Sequence, residues 1–158
     1  MTNLPSRLAL AILPVVLVAV LGNVATMPAI PGWYAGLAKP PGTPPNWLFG
    51  PVWGVLYALM ALAAWRILAL PSGTPGRRVG LGLFFTQLAL NCAWSFAFFA
   101  ARNPLLGLVV ISALLVAIAL TIRAFGTLDR LAAWLLAPYL AWVLYATYLN
   151  LGVWWLNA

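Results

Sequence analysis

The chain has 158 residues, of which 65% are hydrophobic and 6% are charged, and its formal net charge is +7. Such a composition has too few polar groups to cover a soluble domain, so it indicates an integral membrane protein. With no histidine and one acidic residue, the usual zinc and iron ligand sets and most general acid–base catalysis are excluded. The basic residues fall singly or in pairs at the ends of apolar runs, which argues for topology signals and against a nucleic-acid partner.

Five apolar runs are long enough to cross about 30 Å of hydrocarbon as helices. They extend approximately over Leu8 to Met27, Trp47 to Leu70, Val79 to Ala101, Leu105 to Ile122 and Leu131 to Leu156. The predicted fold class is therefore an all-α membrane protein, a five-helix transmembrane bundle forming one domain over residues 1–158. Arg7 before the first run also fits a signal peptide, but the length of the run, its Pro14 and the lack of a clear cleavage site favour a retained helix.

The basic residues predict how the bundle is oriented. Six lie at the predicted helix ends on the side of the N-terminus: Arg7, Arg66, Arg77, Arg78, Arg123 and Arg130. Lys39 and Arg102 lie on the opposite side. By the positive-inside rule we expect an integral, multi-pass protein with a cytoplasmic N-terminus, and we expect the membrane to be bacterial.

The first connection, about residues 28–46, is the long one, and it leads into the stretch KPPGTPPNWLFGPVW, residues 39 to 53. Each proline fixes φ and disfavours helix at the preceding residue, so the connection is predicted to be stiff and extended. A stiff connection of this kind can serve as a lid over the bundle. The alternative interpretation is that the prolines only end helices and the tryptophans mark the membrane interface.

The third predicted span has a polar face. Gln87, Asn91 and Ser95 recur every four residues, with Trp94 beside them. An unpaired amide in hydrocarbon costs on the order of several kcal/mol, so this face is predicted to point into the bundle.

The opposite face of the same span carries a small-xxx-small pattern, formed by Ala89, Ala93, Ala97 and Ala101. Such a stripe lets another helix approach closely, either within the chain or from a second protomer. Because the polar face already points inward, we expect the alanine stripe to form a homodimer interface.

Two further pairs of residues four apart define faces on the second and fifth predicted spans, Trp53 with Tyr57 and Trp142 with Ala146. They are compatible with ordinary core aromatics. The combination of flat aromatic surfaces, a few amides and hydroxyls, and a small residue beside Trp142 is also typical of a pocket for a flat apolar ligand.

Three blocks in this order, WYAGLAKPPGTPPNWLFGPVWGVLYALMALAAW (33 to 65), QLALNCAWSFAFF (87 to 99) and PYLAWVLYATYLN (138 to 150), resemble the translocator protein family. The family is also known as tryptophan-rich sensory proteins or peripheral benzodiazepine receptor homologues. The resemblance implies a five-helix bundle, commonly a homodimer, that binds porphyrins, sterols and synthetic aromatic ligands beneath the first loop.

Carried over position by position, the resemblance implies a set of ligand-binding residues: Tyr34, Pro44, Trp53, Tyr57, Asn91, Trp94, Ser95, Trp142 and Ala146. Porphyrin is then a ligand, with no obligatory cofactor and no metal site, and the other expected partner is membrane lipid. In some bacterial members the tryptophans matching Trp53 and Trp142 are implicated in light- and oxygen-dependent porphyrin breakdown. The functions that the sequence leaves open are a tetrapyrrole receptor or sensor, a porphyrin-degrading enzyme with those two tryptophans as its catalytic candidates, and a transporter of lipophiles.

Two departures from the family pattern bear on ligand choice. Gly42 stands where the family's loop usually has a tryptophan, so one aromatic side chain of the expected lid is missing. The family's C-terminal sterol pattern requires a basic residue after a tyrosine, and no basic residue follows Arg130. We therefore expect sterol to bind less readily than porphyrin.

Overall fold

The computed structural model describes residues 4–158, and the helices within that range are the following: α1 (Leu4–Thr26), α2 (Asn46–Ala69), α3 (Arg77–Ser95), α4 (Pro104–Leu128), α5 (Arg130–Leu135) and α6 (Ala137–Asn157). A 3₁₀ turn (Met27–Ala29) and a π turn (Ile30–Tyr34) continue α1, and a second π turn (Phe96–Ala100) continues α3. Five segments of this range are long and apolar enough to span a membrane. They are Leu4–Tyr34, Asn46–Ala69, Arg77–Ala100, Pro104–Leu128 and Arg130–Asn157. The predicted all-α, five-span membrane fold is confirmed.

The first span is longer than predicted, because it ends at Tyr34 and not at Met27. Pro28 and Pro31 each occupy one of the first two positions of a new turn. An amide hydrogen at these positions makes no hydrogen bond within the turn, so a proline, which has none, is tolerated there. The predicted loop of residues 28–46 is therefore wrong in its first part. The non-helical connection is residues 35–45, which we call the lid. The end of the helical bundle at which the lid lies is called the lid end.

The last two spans also differ from the prediction in their bounds. The fourth continues past Ile122 to Leu128, so that Asp129 alone separates α4 from α5. The fifth span consists of two helices, α5 and α6, with a break at Leu136. Pro138 explains the break, because a proline ring clashes with the carbonyl four residues earlier and donates no hydrogen bond.

The polar face of α3 points into the bundle, as predicted, with Gln87, Asn91 and Ser95 all buried. On the other face, Ala89 and Ala93 are exposed. Ala97 is buried within the chain, so it is not available to the homodimer interface that the alanine stripe was expected to form. Ala97 lies in the second π turn, in which the Ala101 amide donates to the Phe96 carbonyl five residues earlier, and this turn packs against both α1 and α4.

The half of the bundle remote from the lid is a packed apolar core. Met60, Phe84 and Phe125 are fully buried, and the rings of the two phenylalanines stack with centroids 5.9 Å apart and an angle of 14°. A β-carbon on Gly80 would lie 3.4 Å from the Phe125 ring, so glycine allows α3 and α4 to approach there. The solid core leaves the lid half of the bundle as the place for a cavity.

A charged cluster closes the end of the bundle opposite the lid. Arg66 forms an ion pair with Asp129 at 2.7 Å, and Asp129 also accepts a hydrogen bond from the backbone N–H of Ala132 at the start of α5. Burial alone would raise the pKa of the Asp129 carboxyl, but these hydrogen bonds from Ala132 and Arg66 hold the pKa below its ordinary value. Asp129 therefore joins the second span to the fourth and fifth.

Candidate ligand-binding cavity

A cavity of about 380 Å³ lies in the lid half of the bundle. Its walls come from the first, second, third and fifth spans, and its 18 lining residues are Ala19, Gly22, Asn23, Thr26, Met27, Ile30, Tyr34, Asn46, Phe49, Gly50, Trp53, Gly54, Tyr57, Trp94, Ser95, Phe99, Trp142 and Ala146. Seven of these are aromatic, and none is charged. The volume is within the range of about 300 to 1,000 Å³ that is usual for small-molecule sites.

The aromatic side chains on α2 support one another along the cavity wall. The rings of Trp53 and Tyr57 lie 5.4 Å apart, tilted by 31°, as expected for residues one helical turn apart. Phe49, one turn earlier, meets Trp142 of α6 edge to face at 6.1 Å. These contacts hold flat surfaces from two spans around the same space.

A hydrogen-bond chain anchors Tyr57 from behind. Its hydroxyl donates to Asn91 Oδ1 at 3.0 Å, and Asn91 Nδ2 donates to the Tyr139 hydroxyl at 3.0 Å. Asn91 is 1% exposed and does not line the cavity. This predicted site residue therefore joins α2, α3 and α6 and sets the position of Tyr57.

Trp94 is held in the same way by a second buried amide. The indole N–H donates to Asn150 Oδ1 at 3.0 Å, and Asn150 Nδ2 donates to the carbonyl of Pro104 at 2.7 Å. The ring of Trp94 also stacks on Phe98 at 5.7 Å. Asn150 thus ties α3, α4 and α6 together and fixes one aromatic wall.

The sequence prediction misses the α1 wall of the cavity, together with Asn46, Phe49, Gly50 and Gly54 on α2 and Phe99 after α3. Gly22 faces Ser95, and a β-carbon on Gly22 would lie 3.3 Å from Ser95 Oγ. Asn23 is the next residue and Thr26 lies one turn beyond Gly22, and both line the cavity. A glycine, an amide and a hydroxyl inside an otherwise apolar run are the signal that would have identified this wall.

The lid is fastened to α6. The hydroxyls of Tyr145 and Tyr148 donate to the carbonyls of Gly42 and Pro41, the latter at 2.9 Å. The side-chain amide of Asn157 pairs with the backbone of Ala38, donating at 2.9 Å and accepting at 3.0 Å. These bonds close the lid against the far end of α6.

Two glycines make this docking possible. Pro40 is buried against α6 so closely that a β-carbon on Gly152 would lie 2.5 Å from its Cγ. Gly42 has φ +82°, a left-handed conformation that favours glycine over the tryptophan expected there.

The lid does not itself line the cavity. Tyr34, just before it, does so, whereas Pro44 lies within the lid and does not touch the cavity. The lid is hydrogen-bonded along α6 instead, and none of residues 35–45 lines the cavity. Of the nine predicted residues, all except Pro44 and Asn91 line the cavity.

These features define the class of the molecule: a five-span helical membrane protein with an aromatic, uncharged cavity inside the bundle. Residues 10–156 match the TspO/MBR family, and the chain belongs to that family.

Relatives from all three domains of life are similar to the chain. It is 43% identical to the tryptophan-rich protein TspO of Archaeoglobus fulgidus over 96% of this chain and 97% of that protein. It is 46% identical to the human translocator protein over 77% and 73% of the two chains. It is 38% identical to the tryptophan-rich sensory protein of Cereibacter sphaeroides over 79% and 77%.

Proposed function

We propose that this protein is a membrane receptor that binds a flat lipophilic ligand, a tetrapyrrole such as protoporphyrin, in the cavity. The observation that carries the proposal is the lining, in which seven of 18 side chains are aromatic and three of those are tryptophans. A planar macrocycle gains most from aromatic surfaces because both its faces can stack on them. The family membership supports a sensor or receptor role, since relatives carry the names translocator protein and tryptophan-rich sensory protein.

The charges of such a ligand have a place outside the cavity. No charged side chain lines it among residues 4–158, so the propionates of a porphyrin must stay near its opening. Lys39 Nζ lies 4.8 Å from the centre of the Tyr34 ring, and Tyr34 lines the cavity. We propose that Lys39 is the cation closest to the bound carboxylates.

Titration of the purified protein with protoporphyrin in the dark, followed by tryptophan quenching, tests the proposal. Trp142→Ala is expected to weaken binding by about 1 to 2 kcal/mol, or roughly 5- to 30-fold, because one stacking surface is lost. The matched control is Trp134→Ala, since Trp134 is 70% exposed and does not line the cavity. Equal affinity of the Trp142→Ala variant and the wild type would contradict a stacked porphyrin.

A second candidate function is light- and oxygen-dependent degradation of the bound porphyrin. The observation that favours it is that both Trp53 and Trp142 line the cavity, where an indole can supply an electron to an excited macrocycle. The test is illumination in air. Bleaching of bound porphyrin that is faster than that of free porphyrin, and that Trp53→Phe abolishes, supports the enzyme; equal bleaching supports a receptor.

We also propose the orientation and the assembly of the protein. The arginine-rich end is proposed to face the cytoplasm, with the lid on the other side of the membrane. The exposed Ala89 and Ala93 support a homodimer through α3, which cross-linking in the membrane tests. A bacterial membrane stays a prediction, because the relatives come from archaea, bacteria and animals.

A further inference from the structure

The residues that line the cavity differ in their exposed fraction from one wall to another. Ser95 on α3 and Ala146 on α6 line it and are 8% and 9% exposed. On the α1 side, Met27 also lines it but is 57% exposed, and Asn23 is exposed as well. The cavity therefore opens outward along the seam between α1 and α2.

A notch in α2 lies on this seam. Gly50 and Gly54 are one helical turn apart, both line the cavity, and both are exposed. A β-carbon at either position would meet no atom within 4 Å. Glycines in membrane helices usually let another helix approach closely, but these two pack against nothing and so leave an open space.

Asn23 marks the other side of the seam. It lies within the first span, yet its side chain is exposed and has no hydrogen-bond partner among residues 4–158. A free amide inside a membrane span is costly, and polar groups at such positions are usually functional. An amide at this place can accept or donate a hydrogen bond to a molecule that passes the seam.

The part of the lid end around Tyr34 is better covered than the seam. Tyr34 is 5% exposed, and the lid beyond it is fastened to α6 by Tyr145, Tyr148 and Asn157. A ligand arriving from water past Tyr34 meets this covered part of the lid end, whereas a ligand dissolved in the bilayer meets the exposed seam directly.

We propose that ligands enter the cavity laterally, from the bilayer leaflet on the lid side, through a portal between α1 and α2. The portal is formed by Gly50 and Gly54, with Asn23 at its rim. The proposal rests on the proposed function and adds to it the class of ligand: an amphiphile that partitions into lipid before it binds, with the lid as a fixed cover.

Stopped-flow tryptophan quenching in nanodiscs, with protoporphyrin as the probe, tests this route. Two variants place leucine side chains in the open space of the portal, where a β-carbon meets no atom within 4 Å. They are the double variant Gly50→Leu/Gly54→Leu and the single variant Gly54→Leu. Gly82→Leu is the matched control, because Gly82 is also exposed, also meets nothing within 4 Å and does not line the cavity. Tyr145→Phe/Tyr148→Phe loosens the lid without removing a ring.

A blocked portal slows passage in both directions, so we expect the portal variants to slow association and dissociation, each by about tenfold. The control and the lid variant are expected to keep both rates within about twofold of the wild type. Unchanged rates, or faster dissociation, in the portal variants would overturn the proposal, as would a lid variant with both rates about tenfold faster. Failure of the wild-type protein to bind protoporphyrin would refute the proposed function itself.

Discussion

Replacement of Gly152 by alanine is expected to disturb the lid. Gly152 lies on α6 under the buried Pro40 of the lid, and a β-carbon there would be 2.5 Å from Pro40 Cγ and 2.6 Å from Pro40 Cβ. Carbon atoms that are not bonded to each other or to a common atom do not approach that closely. Either the proline moves away from α6 by about 1 Å, or the lid leaves α6 altogether.

The expected magnitude follows from these two responses. Keeping the lid docked against an extra methyl group costs about 1 to 3 kcal/mol in strain. Releasing the lid forfeits its four hydrogen bonds to Tyr145, Tyr148 and Asn157, at about 0.5 to 1.5 kcal/mol each, or roughly 2 to 6 kcal/mol. The protein takes the less costly of the two responses, so the docked state of the lid should be destabilised by about 1 to 3 kcal/mol.

Hydrogen exchange measured on lid peptides is the assay, with the protein in detergent or nanodiscs. Lid amides such as that of Ala38, which donates to Asn157, should exchange roughly 5- to 150-fold faster in Gly152→Ala. Gly82→Ala is the control, because its added methyl group meets no atom within 4 Å and alanine favours helix. Unchanged lid exchange in Gly152→Ala would refute the reasoning, since the contact between Pro40 and α6 would then be absent in solution.

Three further predictions concern the buried amides and the ion pair. Asn91→Leu should lower the free energy of unfolding by about 1 to 3 kcal/mol, because the buried Tyr139 loses its hydrogen-bond partner. Asn150→Leu should do the same through the unpaired indole of Trp94, and should also weaken ligand binding, because Trp94 lines the cavity. Asp129→Asn should remove a contribution to the free energy of unfolding that depends on pH. Because the pKa of Asp129 is lowered by folding, its contribution is present above its unfolded pKa of about 3.9 and is lost as the pH falls through the lowered value.

Thermal unfolding in detergent checks the two asparagine variants, and Tyr57→Phe, which removes one bond only, is their milder comparison. An Asn91→Leu protein as stable as the wild type would contradict the role given to its hydrogen bonds. For Asp129, the stability difference between wild type and Asp129→Asn should be constant from about pH 5 to 8, should begin to fall near the unfolded pKa of about 3.9, and should vanish only once the pH is below the lowered pKa of the folded state. A difference that persists in acid would show that the carboxylate charge is not its cause.

The sequence predicts the spans and much of the cavity because hydrophobic length and four-residue spacing are local signals. The inward face of Gln87, Asn91 and Ser95 follows from the cost of burying amides in lipid, and all three are buried as expected. The spacing of Trp53 to Tyr57 and of Trp142 to Ala146 defines helix faces but leaves ordinary core packing open. The resemblance to the translocator protein family is what marks both tryptophans as ligand-binding, and both line the cavity.

What the sequence did not predict depends on changes of helical phase and on distant contacts. Spacing rules assume 3.6 residues per turn, whereas Ala97 lies in a π turn after Ser95 and is buried against expectation. The prolines predict a stiff, extended connection from residue 28, but Pro28 and Pro31 fit where a turn of another type begins. The docking of Pro40 on Gly152 joins residues 112 positions apart, and no local pattern encodes it.

The order of synthesis gives the lid a further consequence. Ala38 and its partner Asn157 are 119 residues apart, so at about 5 to 20 residues per second their pairing has to wait roughly 6 to 24 s while the intervening chain is made. Before the fifth span is made, the nascent chain lacks Trp142 and Ala146, so the cavity has no wall from α6. Insertion of the fifth span therefore completes the aromatic wall and lets the lid dock on α6 in a single late step.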